Sequence, residues 1–139
     1  MWEKIRKFEY TSGKSIKLHF KAPFIAMSNG LSVKIDEYFD RFSPEEQKAI
    51  IWHEIYHKNM NGTHLLWLQL KKLLKKSDYN ASQLVEFEAD EHAAKNVGKE
   101  VTLRALKKIK LLINKKVIPQ NLKNHPPIDE RIKRIKDMK

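Results

Sequence analysis

The spacing of apolar positions changes once along this chain, from a period near two to a period near four. Residues 15–20 alternate, with Ile16, Leu18 and Phe20 on one face and Lys17 and His19 on the other. Together with residues 5–10, across the turn-rich Thr11-Ser12-Gly13-Lys14, they predict a hairpin with one buried face. Residues 23–28 read as a short apolar strand. Asn29-Gly30 reads as the turn after it, because both residues tolerate positive φ, and residues 31–35 as the return strand. From Ser43 the spacing is helical. Ser43 is an N-cap, Pro44 the first helical residue, and Glu46 completes a capping box. Ala49, Ile50, Ile51, Trp52, Ile55 and Tyr56 then make the helix apolar nearly all round, as a buried helix is. It should end between residues 59 and 62, with Gly62 a candidate cap.

The remaining segments repeat the helical period. Residues 63–76 are amphipathic, with a leucine-rich side expected to pack on the core and a membrane-surface role as the alternative. Residues 81–94 carry Glu86 and Asp90 four apart on one face, and Ala89, Ala93 and Ala94, small enough to let another helix come close. Residues 100–115 place Val101, Leu103, Leu106, Ile109 and Leu112 on one side. A connection over 117–124 contains Pro119, and Pro127 with Asp129-Glu130 suits the first turn of a last short helix. The pattern predicts an α+β fold: a small, mostly antiparallel N-terminal sheet followed by a helical subdomain. At 139 residues it reads as one domain over 1–139, without repeats or low-complexity tracts.

The chemistry is concentrated in His53-Glu54-Ile55-Tyr56-His57. Positions i and i+4 share a helix face, so His53 and His57 can aim two imidazole nitrogens at one point. That suits Zn²⁺, and Glu54 is placed to accept the proton of a water there, the metallopeptidase reading of H-E-x-x-H. The plain alternative is two structural histidines and a chance glutamate. Two features favour the metal. Polar groups on an interior helix must be satisfied, and a cation satisfies them. Glu86, on a closely approaching helix, supplies the ligand that two histidines lack, and a cation also relieves its repulsion with Asp90. Glu88 and Glu91 read as a solvated acidic face, His19 as an exposed strand histidine, and His64 as a capping or surface group. The chain has no cysteine, so histidine and carboxylate are the strong metal ligands available.

Twenty-eight Lys+Arg against 17 Asp+Glu give a net charge of +11. Such a charge favours RNA, DNA or anionic membranes, but the cations are scattered and no aromatic–basic motif accompanies them. A generally solvated basic surface is the preferred reading, with nucleic acid set behind it. The N-terminus lacks an apolar h-region, and the apolar run at 65–70 is far too short to span a bilayer. The expectation is a cytoplasmic protein with no membrane span, and no feature specifies an oligomer.

H-E-x-x-H at 53–57, then Glu86-Phe87-Glu88-Ala89-Asp90, then His125-Pro126-Pro127 with Arg131, resembles the gluzincin zinc peptidases. The likeness is to the catalytic domains of CAAX prenyl-protease and HtpX-like membrane peptidases, and runs from about residue 24 to 132. Without transmembrane helices, the chain looks like the minimal soluble, minigluzincin type. The resemblance implies a zincin-like endopeptidase acting on peptide or protein substrates. His53, His57 and Glu86 would hold Zn²⁺, Glu54 would be the general base, and Asp90 would fix a histidine tautomer. His125 and Arg131 would be donors to the developing oxyanion; alternatively His125 would block the site in a latent zymogen, or its loop would be purely structural. ImmA/IrrE-type regulatory peptidases are similar too, but carry Asn where this chain has Asp90. A basic zinc-containing nucleic-acid module without catalysis is the reading from another class, and a pseudo-peptidase that keeps zinc is disfavoured by the presence of Glu54.

Overall fold

The computed structural model describes residues 5–20, 26–28, 33–35, 37–60, 66–67, 69–70, 79–118 and 125–138. Four strands come first, β1 (Ile5–Thr11), β2 (Lys14–Phe20), β3 (Ala26–Ser28) and β4 (Val33–Ile35), followed by a 3-10 turn at Glu37–Arg41. Helices α1 (Pro44–Asn59), α2 (Ala81–Val97), α3 (Lys99–Asn114) and α4 (Ile128–Lys136) follow. The fold is α+β, as the change of period predicts. The sheet runs β1-β2-β4-β3, antiparallel at β1/β2 and β3/β4 and parallel at β2/β4. Gly13 turns the first hairpin at φ +74°, a conformation a side chain would disfavour. In the second, Ser28 pairs with Val33, so four residues separate the paired ends where a two-residue turn was expected. Asn29 and Gly30 themselves lie outside the described residues.

Alternation along β2 sends Ile16 and Leu18 inward, where they meet Phe39, Phe42, Ile50, Ile51 and Ile55. A second cluster joins the ends of the later helices through Ala94, Leu103, Leu106, Ile128, Ile132 and Ile135. Helix α1 lies between the sheet on one side and α2 and α3 on another, which is why it is apolar nearly all round. Its start is as the sequence reads: the Glu46 N–H donates to Ser43 Oγ, and the Ser43 N–H donates to Glu46 Oε1. Its end, at Asn59, falls within the expected 59–62, but the cap is Met60 in an extended conformation; Gly62, the candidate cap, lies outside the described residues. A second capping box, Asn80 with Gln83, opens α2, and Gly98 at φ +100° joins α2 to α3.

In the 63–76 stretch, Leu66, Trp67 and Leu70 are each more than half exposed. At these positions the leucine-rich side faces solvent, a departure from the packing expected of it. They occupy spacings i, i+1 and i+4, one face of a helix. His64 and the rest of the stretch, like residues 119–124 of the later connection, lie outside the described residues. Among the described residues no helix is long and apolar enough to cross a membrane.

Glu46 ties α1 to α3, because Lys108 Nζ donates to its Oε1 at 2.6 Å. Burial alone would raise the Glu46 pKa, but Lys108 and the Ser43 backbone hold it below the usual value. A carboxyl depressed in the folded state contributes stability above the unfolded pKa, and loses it as pH falls through the folded pKa. Urea unfolding should therefore show wild-type stability falling with acid below about pH 4.3, the ordinary glutamate value. Glu46→Gln should be less stable at pH 7 and show a shallower loss on acidification; parallel pH profiles would exclude this contribution.

Candidate metal centre

Two helices bring the site together. Ala89 and Ala93 on α2 are buried, 0% and 1% exposed, and side chains this small let α2 lie close against α1. The inward carboxylates of α2 then meet the histidines of α1 near the ring nitrogens. His53 Nε2 stands 3.1 Å from His57 Nε2 and 3.1 Å from Glu86 Oε2. His57 Nε2 is 2.9 Å from Glu86 Oε1. One ligand atom from each of these residues lies within 4.8 Å of the others.

The surroundings set the charges. Asp90 Oδ1 accepts a hydrogen bond from His53 Nδ1 at 2.8 Å. The same carboxylate accepts two from Arg131, Nη2 to Oδ1 and Nε to Oδ2, both 2.8 Å. Burial alone would raise the pKa of Asp90, but Arg131 foremost holds it down. Burial alone would lower that of His53, yet the Glu86 and Asp90 carboxylates push it up to about 10. Glu86 sits well below the usual carboxylate range, its burial more than offset by the imidazoles, His53 first. Glu54 goes the other way: buried, with Oε1 3.8 Å from His53 Nε2, its carboxyl is raised chiefly by desolvation.

His125 enters from the segment before α4. Its Nδ1 is 3.1 Å from Glu86 Oε2, and Pro126 beside it is fully buried. Arg131 reaches the same oxygen less closely, Nη2 at 3.7 Å. The structure thus places all seven residues singled out in the sequence around one point, with Arg131 directed at Asp90.

The donor set fits zinc. It offers two imidazole nitrogens and a carboxylate, with no sulfur, and ligand atoms around a tetrahedral zinc stand about 3.3 Å apart. Glu86 Oε2 and His125 Nδ1 are also buried without completing a hydrogen bond among the described residues. A buried acceptor left in this condition costs stability, and coordination would satisfy it.

The donor set and a family match together support one class, a zinc metallopeptidase. The sequence profile of Peptidase family M48 matches residues 63–139, more than half of the chain, and the chain belongs to that family. The match begins beyond His57, so the H-E-x-x-H run is an observation independent of it, whereas Glu86, Asp90, His125 and Arg131 fall within it. No curated protein and no solved structure matches the chain.

Three supporting residues escaped the sequence reading. Tyr56 donates to Glu88, and His92 packs its ring 5.6 Å from Trp52 and 5.5 Å from Tyr56. Glu91 accepts from Arg134. Glu88 and Glu91 are therefore partnered, where a solvated acidic face was expected. The available signal was the i, i+3 spacing of Glu88 and Glu91 on the helix that also carries Glu86.

Proposed function

We propose that the chain, acting as one domain, is a zinc-dependent endopeptidase in which His53, His57 and Glu86 hold the metal and Glu54 is the general base. The observation that carries this reading is the convergence of two imidazole Nε2 atoms and one buried carboxylate beside a second buried carboxylate. Zinc at this point supplies Lewis acidity, making water more acidic and polarising a peptide carbonyl.

The chain's own residues do the rest. Asp90 accepts the proton on His53 Nδ1, so that when metal binding displaces the other ring proton it is the Nε2 lone pair that faces the site. Arg131, with Nε and Nη2 on Asp90, holds that carboxylate in place. Glu54 takes the proton of the attacking water and passes it to the amine of the leaving peptide; its raised pKa makes it a stronger base than an exposed glutamate. His125, 37% exposed at its side chain, is the donor available to an oxyanion from the open side.

The position of His125 against Glu86 also favours a latent form, in which the His125-Pro126 segment restricts access until it moves. Truncation before His125 would also remove Ile128, Ile132 and Ile135 from the core, so a point substitution is the cleaner test. Zinc stoichiometry and affinity, with casein cleavage, should be measured on wild type, Glu86→Ala and His125→Ala. One zinc per chain, bound at least about a hundredfold more weakly by Glu86→Ala, is expected. Cleavage that rises in His125→Ala indicates latency, and cleavage that falls indicates the oxyanion donor. Unchanged zinc affinity in Glu86→Ala would remove Glu86 from the ligand set.

A further inference from the structure

On the other side of α4, an open groove of about 440 Å³ lies against α3. Lys107 and Lys110 line it from α3, and Asp129, Ile132, Lys133, Lys136 and Asp137 from α4 and its C-cap. Each lysine pair is spaced i, i+3, so its members stand one turn apart on one helix face. One ion pair crosses the groove, Lys110 Nζ to Asp129 Oδ1 at 2.6 Å. Among the described residues Lys107, Lys133 and Lys136 form none. The other cations of α4 turn away: Arg131 pairs with Asp90 and Arg134 with Glu91, both on α2. The helix thus sorts its cations by type, with arginines toward carboxylates and lysines toward the groove.

Four ammonium groups facing one concavity repel one another, and two carboxylates do not neutralise them. Lys133 and Lys136 have a local reason to be where they are, since cations in a last helical turn complement the helix dipole. Lys107, in the middle of α3, has no such reason. We propose that this groove binds an oligophosphate anion, bridging α3 to α4.

The lining selects this chemistry. Lysine binds phosphate oxygens as a point charge, without the fixed fork by which arginine pairs with a carboxylate or a phosphate; among the described residues the groove contains four lysines and no arginine. Among the described residues it contains no aromatic ring on which a base could stack, so a phosphate chain is the recognised part of the ligand. At about 30 Å³ per water, the volume exceeds what a single phosphate fills. The phosphate chain has two possible sources, a free inorganic oligophosphate or the tail of a nucleoside triphosphate.

The test is titration calorimetry and thermal unfolding of the full chain with inorganic tripolyphosphate, ATP and a mixed-sequence single-stranded DNA 20-mer at low salt. Tripolyphosphate should bind saturably at one per chain and raise Tm, because a ligand that binds only the folded state stabilises it. Lys107→Gln/Lys133→Gln should weaken it at least about tenfold, two of four facing charges being lost, with Tm in the absence of anion unchanged or raised because like charges are removed. Lys115→Gln/Lys116→Gln, outside the groove, should bind as wild type. Equal affinity for ATP points to the nucleotide tail as a source, and weaker binding of ATP to the free inorganic anion. No saturable binding, or an equal loss in both double variants, would overturn the proposal. So would DNA bound more tightly than tripolyphosphate and weakened by the groove variant, which would assign the groove to a nucleic-acid backbone.

Discussion

Glu54→Gln should lower kcat/KM for a peptide substrate by about 10²–10⁴-fold while leaving zinc affinity within a few-fold of wild type. The substitution keeps the volume and one carbonyl oxygen of the side chain and removes its basicity. Glu54 is 8% exposed, so the amide would occupy the same buried position, 3.8 Å from His53 Nε2 in the native residue. The three ligand atoms that lie within 4.8 Å of one another belong to other side chains, which is why metal binding and turnover should separate. Desolvation raises the Glu54 carboxyl while the His53 and His57 charges oppose it, so burial makes it a stronger base than an exposed glutamate. The check is steady-state hydrolysis of a fluorogenic peptide beside zinc stoichiometry on the same preparation. Retained turnover with bound zinc would remove Glu54 from the mechanism. Loss of zinc together with turnover would make it a support of the ligand set.

The parts of this fold that were legible in the sequence are those whose cause is local. Ser43, Pro44 and Glu46 specify a helix start within four residues, and the structure has that start. Ile16 and Leu18 alternate with charged residues and are buried. The convergence of His53, His57 and Glu86 was legible in another way: the two histidines are related by one helical turn, and the small residues around Glu86 announce a close helix. The remainder depends on contacts distant in sequence. The partner of β2 besides β1 is β4, in parallel, which no alternation within either strand specifies. Lys108 meets Glu46 across 62 residues, and Glu91 meets Arg134 across 43. Glu91 looks solvated, and Glu46 looks like half of a capping box and no more, until the facing helix is known. The outward face of Leu66, Trp67 and Leu70 was likewise beyond the sequence, because helical periodicity says which residues share a side and not which side is covered.

The second large effect separates the structural work of Asp90 from its work on the metal. Asp90→Ala should cost about 3–5 kcal/mol of stability, because it leaves a buried guanidinium without its carboxylate. Arg131 is 11% exposed at its side chain and gives Asp90 two 2.8 Å hydrogen bonds. The same substitution removes the acceptor from His53 Nδ1, and losing such an orienting partner lowers metal affinity about 10–100-fold. Asp90→Ala/Arg131→Met resolves the two. With the cation gone, no buried guanidinium is stranded, and position 131 stands one turn after Ile128 on α4. Urea unfolding of the double variant, prepared without metal, should recover most of the lost stability, while competition titration still shows zinc bound 10–100-fold more weakly than in wild type. Recovery of both would mean that Asp90 serves only to neutralise Arg131. Recovery of neither would mean that the pair is required for docking α4 onto α2, and that the zinc site depends on that packing more than on the tautomer of one imidazole.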